Sequence, residues 1–93
     1  MRFEWDSKKK KQNEIKHGVS FEEAESVFDD EHAIMFIDRE HSIDEERFII
    51  IGLSIFPREL TVCHCYRSED AIRIISARKA NKKEIELYEE GLK

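Results

Sequence analysis

Apolar residues follow two kinds of spacing along the chain, and these predict where strands and helices lie. Alternating or continuous apolar residues predict five strands, at residues 3–5, 33–37, 47–55, 60–66 and 71–77. Three more polar segments predict helices, at residues 7–17, 20–28 and 81–91. Each helix has a capping residue at its start, namely Asp6, Ser20 or Asn81. Ser20 and Glu23 also have the spacing of a capping box.

The predicted order is β-α-α-β-β-β-β-α within a single domain, residues 1–93. Consecutive strands beside grouped helices indicate an α+β fold. Its mainly antiparallel β-sheet is a meander, with two N-terminal helices and one C-terminal helix. We expect the helices to cover one face of this sheet. The other face would then be free to serve as a working surface.

Composition agrees with a small folded domain, since 40% of the residues are hydrophobic and 40% are charged. No apolar run approaches the roughly 18 residues of a membrane span, and the first residues do not resemble a secretory signal. We therefore expect a cytoplasmic protein. Cys63 and Cys65 are two apart in a predicted strand, a spacing that disfavours a disulfide, so reduced thiols are expected.

Charge is distributed unevenly along the chain, whose net charge is −5. Residues 20–46 contain eleven acidic residues and one basic residue, whereas both flanking segments are slightly basic. A local basic cleft is compatible with an acidic protein, because salt screens exposed charges beyond roughly 8 Å. A solvated surface without a binding role is equally compatible with this charge distribution.

The segment IRIISARK at residues 72–79 combines a buried strand with fixed positive charge. Alternation places Ile72 and Ile74 on one face and Arg73 on the other. A central arginine requires a carboxylate, solvent or an anionic ligand, so either an ion pair with a neighbouring glutamate or a phosphate site would explain Arg73. Arg78 and Lys79 follow at the end of the strand, and Lys82 and Lys83 begin the last helix, where cations oppose the helix dipole.

His64, in the strand before this segment, is a candidate acid or base, because the ordinary pKa of histidine suits proton transfer near neutral pH. Alternation directs His64 away from both neighbouring sulfurs, so the CHC triplet does not indicate a metal site. A hydrogen-bonded strand histidine remains the alternative. Glu46 is a second candidate base, or an ion-pair partner for Arg73.

Several blocks together resemble the BrnT family of bacterial toxins. They are FEWD at 3–6, Asn13, KHGVSFEEA at 16–24, VFDD at 27–30, DEERF at 44–48 with IG at 51–52, and IRIISARKA at 72–80 followed by E-x-x-x-YEEG at 84–91. The resemblance implies a RelE-like fold and a ribonuclease toxin of a type II toxin–antitoxin system, which cleaves RNA without a metal or other cofactor and blocks translation. It also implies a BrnA-type ribbon-helix-helix antitoxin, a heterotetrameric complex, and operator binding through the antitoxin alone.

The resemblance also implies site residues. Its C-terminal block falls on Arg73, Ser76, Arg78 and Lys79, its preceding strand on His64 with Arg67 after it, and its N-terminal block on Lys16 and His17. The expected catalytic residues are thus His64, Arg67, Arg73, Arg78 and Glu46. The expected RNA-binding residues are Lys16, His17, Ser76, Lys79, Lys82 and Lys83. We expect their cations to converge on one solvent-facing surface.

A different class of function is also compatible with the sequence. The chain could be a non-catalytic binding module that acts as the co-repressor partner of a ribbon-helix-helix DNA-binding protein. Growth arrest with RNA cleavage on expression of the chain alone would support the enzyme, whereas harmless expression with tight partner binding would support the module.

Overall fold

The computed structural model describes residues 1–93 and contains one five-stranded sheet with three α-helices. The elements in chain order are β1 (Arg2–Glu4), α1 (Ser7–His17), α2 (Phe21–Ser26), β2 (Ile34–Ile37), β3 (Phe48–Leu53), β4 (Glu59–Ser68), β5 (Ala71–Lys79) and α3 (Lys82–Glu90). Short 3-10 helices occur at Val27–Asp29 and Arg39–His41. This order confirms the predicted succession of helices and strands. None of the three α-helices is long and apolar enough to cross a lipid bilayer.

The sheet is mixed, which corrects the expectation of a mainly antiparallel sheet in one respect. Strands β2 to β5 form the predicted antiparallel meander, but β1 pairs in parallel with β5, so that the strand order is β1-β5-β4-β3-β2. A parallel neighbour requires a crossover connection, and here the chain between β1 and β5 is almost the whole domain.

Helix placement also differs from the prediction, because the helices do not share one face. Helix α2 packs Phe21 and Ala24 against Val62 and Ile74 in the main core. Helix α1 instead lies along the edge of β5, where the buried Asn13 side chain donates to the carbonyl of Ala77 and accepts from its N–H group, at 2.8 and 3.1 Å. Asn13 thus satisfies backbone groups of β5 beyond the end of the short strand β1.

Helix α3 lies on the opposite face of the sheet from α2. Ile34, Ile51, Thr61 and Arg78 are cross-strand neighbours, so they share this face. Arg78 binds Glu84 at the start of α3, and the end of α3 at Gly91 approaches Ile34. Helix α3 therefore covers part of this second face, called here the cleft face, and leaves the rest open.

The helix caps are largely those that the sequence predicts. The side chains of Asp6, Ser20 and Asn81 accept hydrogen bonds from the first turns of their helices. The full capping box forms at Asn81 and Glu84 rather than at Ser20 and Glu23. The Glu23 carboxylate instead binds the Arg58 side chain and the Ser54 hydroxyl.

Candidate active site

A bulge in β5 determines which side chains reach the cleft face. Cys63 pairs with Ser76, but the next residue of β4, His64, pairs with Ile74, so that Ile75 is an extra residue. Because of this extra residue, Arg73 and Ser76 lie on the same face although they are three residues apart. Arg78 joins them by ordinary alternation.

The cleft face holds a cavity of about 420 Å³ between the sheet and the loop after β2. The sheet side of its wall consists of Arg47, just before β3, and of the strand residues Ile49, Thr61, Cys63, Ile75, Ser76 and Arg78, and the loop contributes Asp38, Glu40 and His41. The wall therefore combines two guanidinium groups, one imidazole and two carboxylates around a small apolar floor.

Arg78 is held in the cleft by helix α3. Its two terminal nitrogens donate to the two oxygens of Glu84 at 2.7 and 2.9 Å, and 41% of its side chain remains exposed. The hydrogen bonds that Arg78 donates to Glu84 raise the pKa of Arg78. Burial alone would raise the pKa of the Glu84 carboxyl, but hydrogen bonds from Arg78 and the Asn81 backbone outweigh it and lower that pKa. The guanidinium is thus a permanently charged, fixed group.

Arg47 provides the second guanidinium of the cleft. It directly precedes β3, where alternation places it on the same face as Ile49. Its Nε atom is buried and has no hydrogen-bond partner, and the nearest carboxylate oxygen, on Glu45, is 3.9 Å away. A buried donor without a partner is costly unless a ligand or water satisfies it. The rest of the Arg47 side chain is accessible, since 32% of the side chain is exposed and it lines the cavity, so Arg47 can meet an anion there.

His41 and Asp38 form a pair at the mouth of the cleft. The His41 Nδ1 atom lies 2.9 Å from Asp38 Oδ2, and the Asp38 side chain is only 13% exposed whereas that of His41 is 62% exposed. A carboxylate at Nδ1 favours the tautomer that carries its proton there, which leaves Nε2 free to accept a proton. The pair has the arrangement of a histidine general base with an orienting carboxylate.

A second depression adjoins the cleft and extends its basic wall. It has a volume of about 230 Å³ and lies between α1 and β5, sharing Ile75 and Ser76 with the first cavity. Lys9, Lys16 and His17 line it from the helix side. The structure thus brings three predicted RNA-binding residues, Lys16, His17 and Ser76, together beside Arg78.

His64 lies away from the cleft. Its side chain is fully buried on the other face of the sheet, with the rings of Phe28, Phe48 and Tyr66 at centroid distances of 4.8, 5.9 and 5.5 Å. Neither ring nitrogen has a hydrogen-bond partner, and burial lowers the pKa of His64 to about 4. A neutral, enclosed imidazole cannot reach a substrate in the cleft.

The other predicted catalytic residues lie outside the cavity wall. Arg73 is on the cleft face but binds Glu4 of β1 at 3.3 Å, the ion pair that the sequence left open as an alternative. Arg67 binds Glu45 at 3.3 Å near the end of β4. Glu46 is exposed and lines neither depression.

The predicted lysines of the C-terminal region do not join the cleft. Lys79 is cross-strand neighbour to Leu60, which belongs to the main core, and its charge lies close enough to Glu23 to help lower the pKa of that carboxyl, after the larger effect of Arg58. Lys82 and Lys83 are exposed in the first turn of α3. The expected convergence of cations therefore holds for only part of the predicted set.

Three cleft residues, Asp38, His41 and Arg47, were not predicted from the sequence. Alternation within the strand that begins at Arg47 is a signal that could have placed Arg47 beside Ile49. The spacing of Asp38 and His41, three residues apart, fits a single helical turn, but their acidic surroundings gave no indication of catalysis.

One group of side chains has the spacing to hold a metal ion. Donor atoms of Asp38, Glu40 and His41 all lie within 4.8 Å of one another. Two of the three residues are exposed, and one Asp38 oxygen is engaged with His41 Nδ1. Such exposed groups are common without a metal, so this arrangement alone does not indicate one.

Comparisons with known proteins agree on one family. A family model described as "Ribonuclease toxin, BrnT, of type II toxin-antitoxin system" matches residues 5–84. Among solved structures, the chain is similar to the Brucella abortus ribonuclease toxin BrnT, with 25% sequence identity, a TM-score of 0.68, and coverage of 88% of this chain and 99% of the other. No curated protein sequence matches this chain. Since the family model spans most of the chain, the protein belongs to the BrnT family of ribonuclease toxins of type II toxin–antitoxin systems.

Proposed function

We propose that this chain is a metal-independent endoribonuclease whose active site is the cleft of Arg47, Arg78, His41 and Asp38. The observation that carries the proposal is the convergence of two guanidinium groups and an oriented imidazole on one solvent-accessible cavity. In the cell, such cleavage would inhibit translation and growth. A BrnA-type antitoxin would neutralise the toxin in a heterotetramer and would bind operator DNA.

The chemistry requires three contributions from the protein. RNA provides its own nucleophile, the ribose 2′-hydroxyl, which attacks the adjacent phosphorus and displaces the 5′-oxygen of the next nucleotide. A base must accept the hydroxyl proton, cations must stabilise the pentavalent phosphorane, and an acid must protonate the leaving oxygen. No metal is needed for any of these steps.

His41 is the proposed base, because Asp38 fixes its tautomer and leaves Nε2 free at the cavity. Arg78 and Arg47 are proposed to donate to the non-bridging oxygens of the phosphorane, where planar guanidinium groups match the oxygen geometry. Lys16 and His17, in the adjoining depression, would contact the next phosphates and make binding sensitive to salt. His64 has no part in this mechanism.

Substitution of two cleft residues tests the proposal. Arg78→Gln and His41→Gln should each lower the rate of RNA cleavage by a purified chain about a hundredfold or more, since each removes a group that acts in the transition state. Matched controls are Arg2→Gln and His32→Gln, which remove an exposed arginine and an exposed histidine outside the cleft. Equal activity of cleft and control variants would refute this assignment of the active site.

A second function, that of a non-catalytic partner of a DNA-binding protein, is favoured by one observation. Arg67, Arg73 and Arg78 each bind a carboxylate, as structural arginines do. Expression of the wild-type chain alone, with growth and cellular RNA integrity as readouts, distinguishes the two functions. Normal growth with intact RNA would support the binding module and exclude the enzyme.

A further inference from the structure

An apolar surface lies at the end of the sheet farthest from α1. Met35, Ile37, Phe48 and Tyr66, called here the β2 surface, share one face of strands β2 to β4. Met35, Ile37 and Tyr66 are 44%, 42% and 45% exposed. The Tyr66 hydroxyl contacts the Met35 sulfur at 3.4 Å, and the Phe48 and Tyr66 rings pack at a centroid distance of 5.2 Å. The four side chains therefore form one continuous apolar patch, a feature that interaction sites share.

The same strand presents unpaired backbone groups. Strand β2 is the last of the sheet, so one of its edges has no neighbour. Asp38 donates its N–H to the Arg47 carbonyl at 2.8 Å, and such pairs recur at every second residue of an antiparallel ladder. Met35 and Ile37 therefore direct their own N–H and C=O groups outward. Strand β2 is short, but Ile34–Ile37 contains no charge, proline or bulge, the other devices by which proteins protect such an edge.

Charge around this edge restricts what can bind to it. Residues 29–46 contain eight acidic residues and one basic residue, Arg39. A second copy of the chain paired at the same edge would bring these two acidic segments together and would be repelled. A basic protein segment with alternating apolar residues matches both the charge and the patch.

We propose that the antitoxin of this chain docks on β2 by adding a strand to its free edge, with apolar side chains on the β2 surface and basic side chains against residues 29–46. Strand addition supplies affinity through main-chain hydrogen bonds and specificity through alternate side chains. The inference rests on membership of a toxin–antitoxin family and not on the chemistry of the cleft. It also gives a role to those acidic residues of the segment that do not line the cleft.

The first test is amide hydrogen exchange on the full-length chain, alone and in complex with its antitoxin. In the complex we expect slower exchange than in the free chain at the Met35 and Ile37 amides. The amides of β1, the strand at the other end of the sheet, should exchange at the same rate in both. Protection of β1 or α1 with unchanged β2 amides would overturn the proposal. A free chain that is already dimeric through β2 would also overturn it, in favour of a second copy.

A substitution provides the second test. Met35→Lys places a charge on the β2 surface, and Leu87→Lys is a matched control because Leu87 is also 44% exposed but lies on α3. We expect Met35→Lys to weaken antitoxin binding at least about tenfold, as loss of an interface anchor does, and Leu87→Lys to leave it unchanged. Equal affinity of the two variants, with folding verified by circular dichroism, would contradict the docking site.

The outcome separates this inference from the proposed nuclease. A Met35→Lys chain that still cleaves RNA but escapes inhibition by the antitoxin supports both. If the wild-type chain binds the antitoxin with the expected protection of β2 and cleaves no RNA, the docking site stands and the nuclease proposal fails.

Discussion

Burial of His64 makes a quantitative prediction about stability at acid pH. The imidazole is enclosed by aromatic rings, and burial lowers its pKa from 6.5 to about 4. The unfolded chain therefore binds a proton between these values while the folded chain does not. Above pH 6.5 the ring is neutral in both states and costs no stability by protonation. As the pH falls from 6.5 towards 4, protonation of the unfolded chain lowers the free energy of unfolding.

The magnitude follows from the same two values. One pKa unit corresponds to about 1.4 kcal/mol, and at pH 5 the unfolded state is almost fully protonated at this position. The free energy of unfolding should therefore be about 2 kcal/mol lower at pH 5.0 than at pH 7.5 because of His64 alone. In His64→Leu this component should be absent. At pH 7.5 the variant should be as stable as the wild type or slightly more stable, since both ring nitrogens lack hydrogen-bond partners.

Urea unfolding, followed by the fluorescence of Trp5, the only tryptophan, measures the free energy of unfolding of both proteins at four pH values between 7.5 and 5.0. Carboxyl groups such as Glu23 titrate in both proteins, so the difference between wild type and variant isolates His64. Parallel stability curves would refute the assignment of a neutral buried imidazole. Loss of RNA cleavage by a folded His64→Leu chain at pH 7.5 would refute the placement of the active site in the cleft.

Further predictions concern packing, orientation and metal dependence. Gly52→Ala should lower the free energy of unfolding by about 1–3 kcal/mol, because the new methyl group would lie 2.9 Å from Ala33 Cβ and Val27 Cγ1; unchanged urea unfolding would contradict this close packing. Asp38→Asn should reduce kcat of RNA cleavage about tenfold or more without changing KM, since Asp38 orients the base and does not bind substrate; an effect on KM alone would indicate a binding role. Glu84→Gln should also reduce kcat while the fold persists, because Arg78 loses its anchor, and a fully active variant would show that the anchor is dispensable. Excess EDTA should leave cleavage unchanged, whereas inhibition reversed by a divalent cation would indicate a metal at Asp38, Glu40 and His41.

Local signals in the sequence were sufficient for the elements and their caps. Asp6, Ser20 and Asn81 act within their own first turns, and the alternation of residues 47–55 and 60–66 needs no distant information. The parallel pairing of β1 with β5 depends on residues about 70 positions apart. No local pattern encodes that pairing, so the mixed sheet could not be derived from these rules.

The bulge at Ile75 explains why the candidate site was only partly predictable. Strict alternation in β5 would place Ser76 with Ile74 in the core and would separate it from Arg73, yet the extra residue brings Ser76 and Arg78 to the cleft face. An equivalent argument applies to ion pairs. Glu4 and Glu84, which hold Arg73 and Arg78, lie on elements whose positions the sequence does not fix. Whether an arginine is held inside the cleft or outside it is therefore a property of the assembled sheet. His41 and Arg47 likewise come to share a cavity with Arg78 only when strands β2 to β5 are assembled.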